Sequence, residues 1–342
     1  MKLVLFSSKT YDKTYFEAAL SAEKENELAS VTVDYFETSL GPSTVSLAFD
    51  ADAICVFVND IVNAEVLREL YGYGVRAILL RCAGHNNVDL EAASRLGIFV
   101  AHVPSYSPEA VAEFAVALIQ TLNRNTHRAY NRVREGNFSL GGLMGKTLHG
   151  KTVGVVGIGR IGLAFARIMH GFGCRMVAFD PTQNPAFLRY GTYLPLNRLL
   201  AQSDIVSLHC PLGAATKHII NDQSLAIMKE GAMLVNTSRG GLIHTKAVIA
   251  ALKRGHLGGL ALDVYEGEGS LFYNDHSDRV IDDDDLMRLT TFHNVLISGH
   301  QAFFTEEAME EIAECTFRNL VDFMHGRPCQ KGLTQPVAAQ EA

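Results

Sequence analysis

Residues 151–180 read Lys-Thr-Val-Gly-Val-Val-Gly-Ile-Gly-Arg-Ile-Gly-Leu-Ala-Phe-Ala-Arg-Ile-Met-His-Gly-Phe-Gly-Cys-Arg-Met-Val-Ala-Phe-Asp. The run from Val153 to Val156 is short and mostly β-branched, as expected of a strand buried on both faces, and it breaks into Gly157-Ile-Gly-Arg-Ile-Gly. Downstream, Ile161, Phe165, Ile168 and Met169 recur at helical spacing, so the glycine turn opens a helix. The first amides of such a helix have no internal partners, and together with the helix dipole they favour an anion.

Each glycine then has a physical role: Gly157 for the tight turn, Gly159 for close approach of backbone to a pyrophosphate, and Gly162 for contact between helix and strand. A second apolar run, Met176 to Phe179, ends in Asp180. A carboxylate there accepts from both ribose hydroxyls and repels a 2′-phosphate, which predicts NAD rather than NADP. A glycine triplet alone is a weak signal. Strand, glycines, helix, second strand and terminal Asp in that order make a dinucleotide-binding unit.

Working outward, a chain of 342 residues has room for two domains. Hydrophobic residues make up 48% and charged residues 20%, as in a soluble globular protein, and the net charge of −7 argues against nucleic acid or an anionic membrane as the main partner. No apolar run is long enough to span a bilayer, and the opening Met-Lys-Leu-Val-Leu-Phe reads as a first strand. The six cysteines are scattered without CxxC pairs or metal-ligand spacing, so we expect no metal and a cytoplasmic location.

Before the fingerprint, short apolar runs alternate with helical patterns from Leu3–Phe6 to Ile98–Val103, the rhythm of an open parallel α/β sheet. After Leu80 comes Arg81-Cys-Ala-Gly-His-Asn-Asn-Val-Asp, a loop at the carboxyl end of a strand, whose backbone N–H groups near Ala83 and Gly84 could hold a carboxylate or simply form a βα turn. At Ser107-Pro108 a helix cap with proline at its first position marks a crossover into the second domain. The helix that follows is apolar nearly all round from Ala110 to Leu122, and its polar continuation, Asn123–Arg134, suggests a dimer arm with Arg124, Arg128, Arg132 and Arg134 along one side. After the fingerprint, strand-like runs recur at 205–209, 232–236, 260–263 and 295–298, giving a six-stranded doubly wound domain. The helix from Glu306 to His325 is expected to return to the first domain, and the tail from Gln330 to fray. The fold class is therefore α/β, two open doubly wound parallel-sheet domains: a flavodoxin-like substrate domain, 1–103 and 302–342, and a Rossmann NAD-binding domain, 104–301.

Three side chains follow strand ends and could complete a reaction: Arg239 in Asn236-Thr-Ser-Arg-Gly, Glu268 in Asp263-Val-Tyr-Glu-Gly-Glu, and His300 in Ser298-Gly-His-Gln. Each alone is ordinary, an ion-pair partner, a solvated acid or a structural histidine. Their joint placement on successive strand ends is not.

With these segments the chain resembles the NAD-dependent D-2-hydroxyacid dehydrogenase family, most closely its fermentative D-lactate branch. The resemblance runs through Arg81-Cys-Ala-Gly, Val103-Pro-Ser-Tyr-Ser-Pro-Glu, the Gly157 fingerprint, Ser207-Leu-His-Cys-Pro-Leu, Val235-Asn-Thr-Ser-Arg-Gly, Leu262-Asp-Val-Tyr-Glu-Gly-Glu and Gly299-His-Gln-Ala-Phe. It implies that His300 passes a proton to the C2 carbonyl oxygen of pyruvate, that Glu268 rather than Glu266 orients its ring, and that Arg239 holds the substrate carboxylate. It also implies cofactor contacts from Arg160, Ile161, Asp180, Cys210, Pro211, Thr237, Ser238, Arg239 and Asp263, and substrate contacts from Ala83, Gly84, Tyr106 and Phe303. A homodimer or homotetramer acting on pyruvate and D-lactate is the corresponding expectation, with hinge closure between two domains joined by two crossovers. His244 stands where the family usually has Asp at a helix start, which predicts a different cap, and Thr216 stands where some relatives have a cofactor-contacting Asn, a contact not carried over. Two rivals remain: another 2-keto acid or glyoxylate/hydroxypyruvate reductase of the same family, and an NAD-sensing scaffold.

Overall fold

In a computed structural model, which describes residues 1–22, 27–269, 271–327, 329 and 331–334, the chain separates into two compact units. One runs from Met1 to Ser107 and takes up the chain again from Phe304; the other runs from Pro108 to Phe303.

The first unit is built on five parallel strands, β1 (Lys2–Leu5), β2 (Thr32–Tyr35), β3 (Ala53–Val56), β4 (Ala77–Leu80) and β5 (Phe99–His102), in the order β2-β1-β3-β4-β5. That is the flavodoxin-like winding. The strands β3 and β4 are buried along their whole length, because helices cover both faces. The last helix, Glu306–Met324, packs against Thr10–Ala22 and against β4 and β5. Beyond it the expected frayed tail is corrected for residues 331–334: Gly332 bridges to Ala101, Leu333 N–H donates to Val100 at 2.7 Å, and Thr334 bonds Val100 and Ile98. Gln330 and residues 335–342, also part of that expectation, lie outside the described residues.

A buried ion pair organises the carboxyl edge of this sheet. Arg81, directly after β4, is 2% exposed and its Nε donates to Asp12 at 3.1 Å. Its two terminal nitrogens each donate to a carbonyl, those of Phe6 and Ser7, at 3.0 and 2.7 Å. The guanidinium also lies over the Phe57 ring, 4.9 Å from its centroid. Burial, the largest single influence, disfavours the charge, but Asp12 together with Asp60 and the nearby Cys55 and Cys82 outweighs it, so Arg81 is held protonated.

The second unit carries seven parallel strands, β6 (Thr152–Val156), β7 (Arg175–Phe179), β8 (Gly191–Tyr193), β9 (Ile205–Leu208), β10 (Ala232–Asn236), β11 (Leu257–Leu262) and β12 (Val295–Ile297), ordered β12-β11-β10-β9-β6-β7-β8. The expectation of six is corrected by β8, three residues without an apolar run, which pairs with β7 through Met176 opposite Gly191. A Cβ on Gly191 would lie 2.2 Å from the Met176 carbonyl oxygen, so this pairing needs glycine. Val153 and Val155 face one core and Val156 the other, the two-sided burial that the apolar run predicts.

The supposed continuous arm helix is two helices, Pro108–Arg124 and Thr126–Arg134, broken at Asn125 with φ +52°. The arginine row is split accordingly: Arg132 donates to the Gly141 carbonyl and Arg134 to the Tyr130 hydroxyl. Among the described residues no helix is long and apolar enough to cross a membrane.

Asp12→Ala leaves the Arg81 charge buried without its partner. It is expected to cost about 3–5 kcal/mol, read as a lowered urea midpoint by circular dichroism, whereas a loss below about 1 kcal/mol would mark the pair as no stronger than a surface one.

Candidate active site

The glycine turn in the second unit has the shape that a pyrophosphate requires. Gly157 has φ +97°, and a Cβ there would lie 2.6 Å from the Cys210 backbone nitrogen. A Cβ on Gly162 would lie 2.0 Å from the Gly157 carbonyl oxygen, whereas the space beside Gly159 is open. The helix Arg160–Gly171 has no side-chain cap at Gly159, so its first amides remain available to an anion. Arg160 is exposed and Ile161 half-buried in its first turn.

Asp180 follows β7 and does more than wait for a ribose. Its carboxylate accepts from Ile158 N–H at 2.6 Å and Thr182 N–H at 2.8 Å, which fixes it against the turn. A carboxylate has about four lone-pair sites, so acceptor capacity remains for hydroxyls. Across the turn, Ser238 Oγ donates to the Cys210 carbonyl at 2.7 Å, and Pro211 beyond it is exposed. Thr237 Oγ1 is buried with no hydrogen-bond partner, a polar atom left for a ligand to satisfy. Thr216 is committed within its own loop, donating to the Pro211 carbonyl at 2.6 Å and accepting from Gly213 N–H at 2.8 Å.

The three strand-end side chains come from adjacent strands, since β10 pairs with β11 and β11 with β12. His300 Nδ1 lies 3.0 Å from Glu268 Oε1. A carboxylate only accepts, so Nδ1 carries the hydrogen and Nε2 is left to exchange protons. Glu268 Oε2 is itself held by Tyr265 N–H at 2.9 Å. The other carboxylate of the motif, Glu266, turns instead to His218 and Thr245. Arg239 is half-buried at the head of a short 3-10 turn, Gly240–Leu242, with one guanidinium nitrogen donating to the Ser238 carbonyl at 2.7 Å.

Asp263, expected as a cofactor contact, has a role that its strand-end position did not reveal. It is fully buried and accepts from Ser298 Oγ at 2.6 Å and from Gln301 and Ala302 N–H at 2.9 Å each. It therefore fastens the segment that carries His300. Tyr273 was also missed: its ring packs 5.6 Å from that of His300 and its hydroxyl donates to the His300 carbonyl at 3.3 Å. Nothing but a tyrosine in a polar loop signals it.

In the first unit, the loop after β4 has Ala83 and Gly84 half-buried. The Ala83 carbonyl is matched with His102 Nδ1 at 3.0 Å, and burial, the largest influence on that ring, keeps its pKa below the ordinary histidine value. Tyr106 is half-buried next to the end of this unit, and Phe303 closes the second unit as a buried side chain.

Comparison with known proteins agrees with this geometry. Residues 116–302 match the family model described as D-isomer specific 2-hydroxyacid dehydrogenase, NAD binding domain. The chain belongs to that family. It is 64% identical over 335 residues to 2-hydroxyacid dehydrogenase A of Aspergillus oryzae, covering 98% of this chain and 96% of the relative. Over the same length and coverage it is 63% identical to D-lactate dehydrogenase kk1H of Curvularia clavata. The apo structure of D-lactate dehydrogenase from Escherichia coli superposes with a TM-score of 0.89 at 45% identity, over 98% of this chain and all of that one. The protein is an NAD-dependent D-2-hydroxyacid dehydrogenase acting on a small molecule, and the glycine cradle and the unpartnered Thr237 fit its cofactor.

Asp180→Asn keeps an acceptor but removes the charge that opposes a 2′-phosphate. The preference for NADH over NADPH in kcat/KM is expected to fall roughly tenfold, equivalent to about 1.4 kcal/mol, and an unchanged ratio would take Asp180 out of cofactor selection.

Proposed function

We propose that this dehydrogenase is a D-lactate dehydrogenase, reducing pyruvate to D-lactate with His300 as the proton donor. The observation that carries the reading is the 3.0 Å contact from His300 Nδ1 to Glu268, which leaves Nε2 as the atom able to exchange a proton. Relatives named as D-lactate dehydrogenases, at 63% identity in Curvularia clavata and 45% for the Escherichia coli structure, support the lactate assignment within the family.

Bound NADH supplies the hydride that C2 of the keto acid receives. The chain's own part is electrostatic and positional. Protonated His300 donates from Nε2 to the C2 oxygen as negative charge grows there, and Glu268 stabilises the charged ring before the transfer. Arg239 binds the substrate carboxylate through charge-assisted bonds, a task for which a planar guanidinium is better shaped than an ammonium. In the reverse direction neutral His300 removes the hydroxyl proton of D-lactate. The proposal extends to cofactor contacts from Arg160, Ile161, Asp180, Cys210, Pro211, Thr237, Ser238 and Asp263, and to substrate contacts from Ala83, Gly84, Tyr106 and Phe303. A reducing compartment such as the cytoplasm belongs to the same proposal, supported by six cysteines scattered along the sequence without paired spacing.

The test is NADH oxidation with pyruvate, 2-ketobutyrate, glyoxylate, hydroxypyruvate and phenylpyruvate. Pyruvate is expected to be the best substrate and to yield D-lactate, with His300→Ala abolishing turnover. Glu268→Ala removes the acceptor that fixes the His300 ring with hydrogen on Nδ1, so kcat for pyruvate reduction is expected to fall roughly 10- to 100-fold. Better turnover of hydroxypyruvate or glyoxylate would overturn the lactate assignment, and an unchanged kcat would remove Glu268 from its role.

The same proposal includes self-association through the segment after Asn125. Tyr130, Val133, Phe138, Leu140 and Met144 are exposed, the last three by 74%, 82% and 93%, a concentration of apolar surface that a second copy would cover. Leu140→Asp combined with Phe138→Asp is expected to halve the mass measured by sedimentation, and an unchanged mass would place the contact elsewhere.

A further inference from the structure

The motif Glu266-Gly-Glu268 holds two carboxylates that face different partners. Glu266 Oε1 accepts from His218 Nε2 at 2.5 Å, and Oε2 accepts from Thr245 Oγ1 at 3.0 Å and from its N–H at 3.4 Å. Thr245 opens the helix Thr245–Lys253, whose cap position is His244. The His244 side chain makes no capping bond, so the helix takes its anionic cap from Glu266 on another segment, where the helix dipole favours it.

His218 is tied in turn to the segment of Arg239. Its backbone is left-handed, with φ +51°, its N–H donates to the Gly241 carbonyl at 2.9 Å, and its ring lies 5.0 Å from that of His244. Gly240 is pressed against the Glu266 segment, since a Cβ there would lie 2.1 Å from the Tyr265 carbonyl carbon. Tyr265 is the residue whose N–H holds Glu268. The Glu266 carboxylate therefore joins its own loop to the helix start at Thr245 and to His218, whose N–H in turn bonds the turn after Arg239. Burial works against the charge of Glu266, but the bonds from His218 and Thr245 outweigh it and hold the carboxyl below the usual range.

We propose that Glu266 is a positioning residue for the reaction, bracing the Glu268 loop against the turn that carries Arg239 through its bonds to His218 and Thr245. This rests on the roles given above to Glu268 and Arg239. The brace is made of hydrogen bonds, and a glutamine can reproduce them, its oxygen accepting from Thr245 and its amide donating to His218. Alanine can do neither.

The experiment compares Glu266→Ala, Glu266→Gln, His218→Ala and the double variant His218→Ala/Glu266→Ala in the full-length protein. It measures kcat, the KM for pyruvate, NADH affinity by fluorescence, and amide hydrogen exchange of residues 240–245 and 265–268. Glu266→Ala is expected to lower kcat by roughly 10- to 100-fold, the effect of misplacing catalytic groups by about an ångström, with NADH affinity unchanged and faster exchange in both segments. Glu266→Gln restores most of the loss, and the double variant falls no further than Glu266→Ala, because the two side chains act as one unit. Wild-type kcat in Glu266→Ala, a Gln variant as poor as the Ala one, or additive losses in the double variant would each overturn the inference. Failure of the wild-type protein to turn over any keto acid would instead overturn the reading of the site, and the exchange data would still report whether the brace exists.

Discussion

The carboxylate of Asp263 is the constraint on which the reactive end of the second unit depends. It is fully buried and accepts three hydrogen bonds from Ser298, Gln301 and Ala302, while its backbone carbonyl accepts from His300 N–H at 2.7 Å and its N–H donates to the Asn236 carbonyl at 2.9 Å. One residue thus joins the ends of β10, β11 and β12. His300 itself has φ +57°, a left-handed conformation that costs a non-glycine residue about 1–3 kcal/mol. The three hydrogen bonds to the Asp263 side chain and the one from His300 N–H to its carbonyl fix the segment on both sides of that residue. The histidine can be held where an unconstrained chain would not put it.

Parallel pairing then decides what can meet. Asn236 lies opposite Leu262, and Leu262 opposite Ile297, so the three strands end level and their following loops start from one edge. Arg239, Glu268 and His300 each leave from that edge within a few residues. Because sequential strands in this half of a doubly wound sheet are also neighbours, the order of the motifs along the chain already implied their adjacency. That is why the strand-end reading of these three residues was possible from sequence, as was the glycine turn, where φ +97° at Gly157 leaves no room for any other residue.

What the sequence concealed was concealed for identifiable reasons. Strand β8 is Gly-Thr-Tyr, held by backbone pairing rather than by apolar side chains, so no periodicity reveals it. The break at Asn125 depends on a left-handed residue that is not glycine, inside a stretch otherwise suited to helix. Lys331–Thr334 is ordered by bonds to β5, more than two hundred residues earlier, and such pairing has no local signature. His244 looked like a substituted cap, and the missing acceptor comes from Glu266, some twenty residues on, through tertiary structure alone. Local chemistry was legible; the identity of the partner on a distant segment was not.

The two units solve one problem with opposite charges. At the carboxyl edge of a parallel sheet the strands end and their outgoing loops leave backbone groups beyond the reach of the ladder. In the first unit those groups are acceptors, the carbonyls of Phe6 and Ser7, and a buried cation, Arg81, supplies the donors with Asp12 as its counter-charge. In the second unit they are donors, the N–H groups of Gln301 and Ala302, and a buried anion, Asp263, supplies the acceptors. A neutral side chain could satisfy one or two of these groups, whereas a guanidinium presents five donors and a carboxylate about four acceptor sites in fixed geometry. A buried charge met by several hydrogen bonds is tolerable and one left without them is costly, so each device also locks its loops into a single arrangement. Rigidity at these edges is therefore a by-product of satisfying the backbone, and in the second unit the same bonds hold the segment that carries His300.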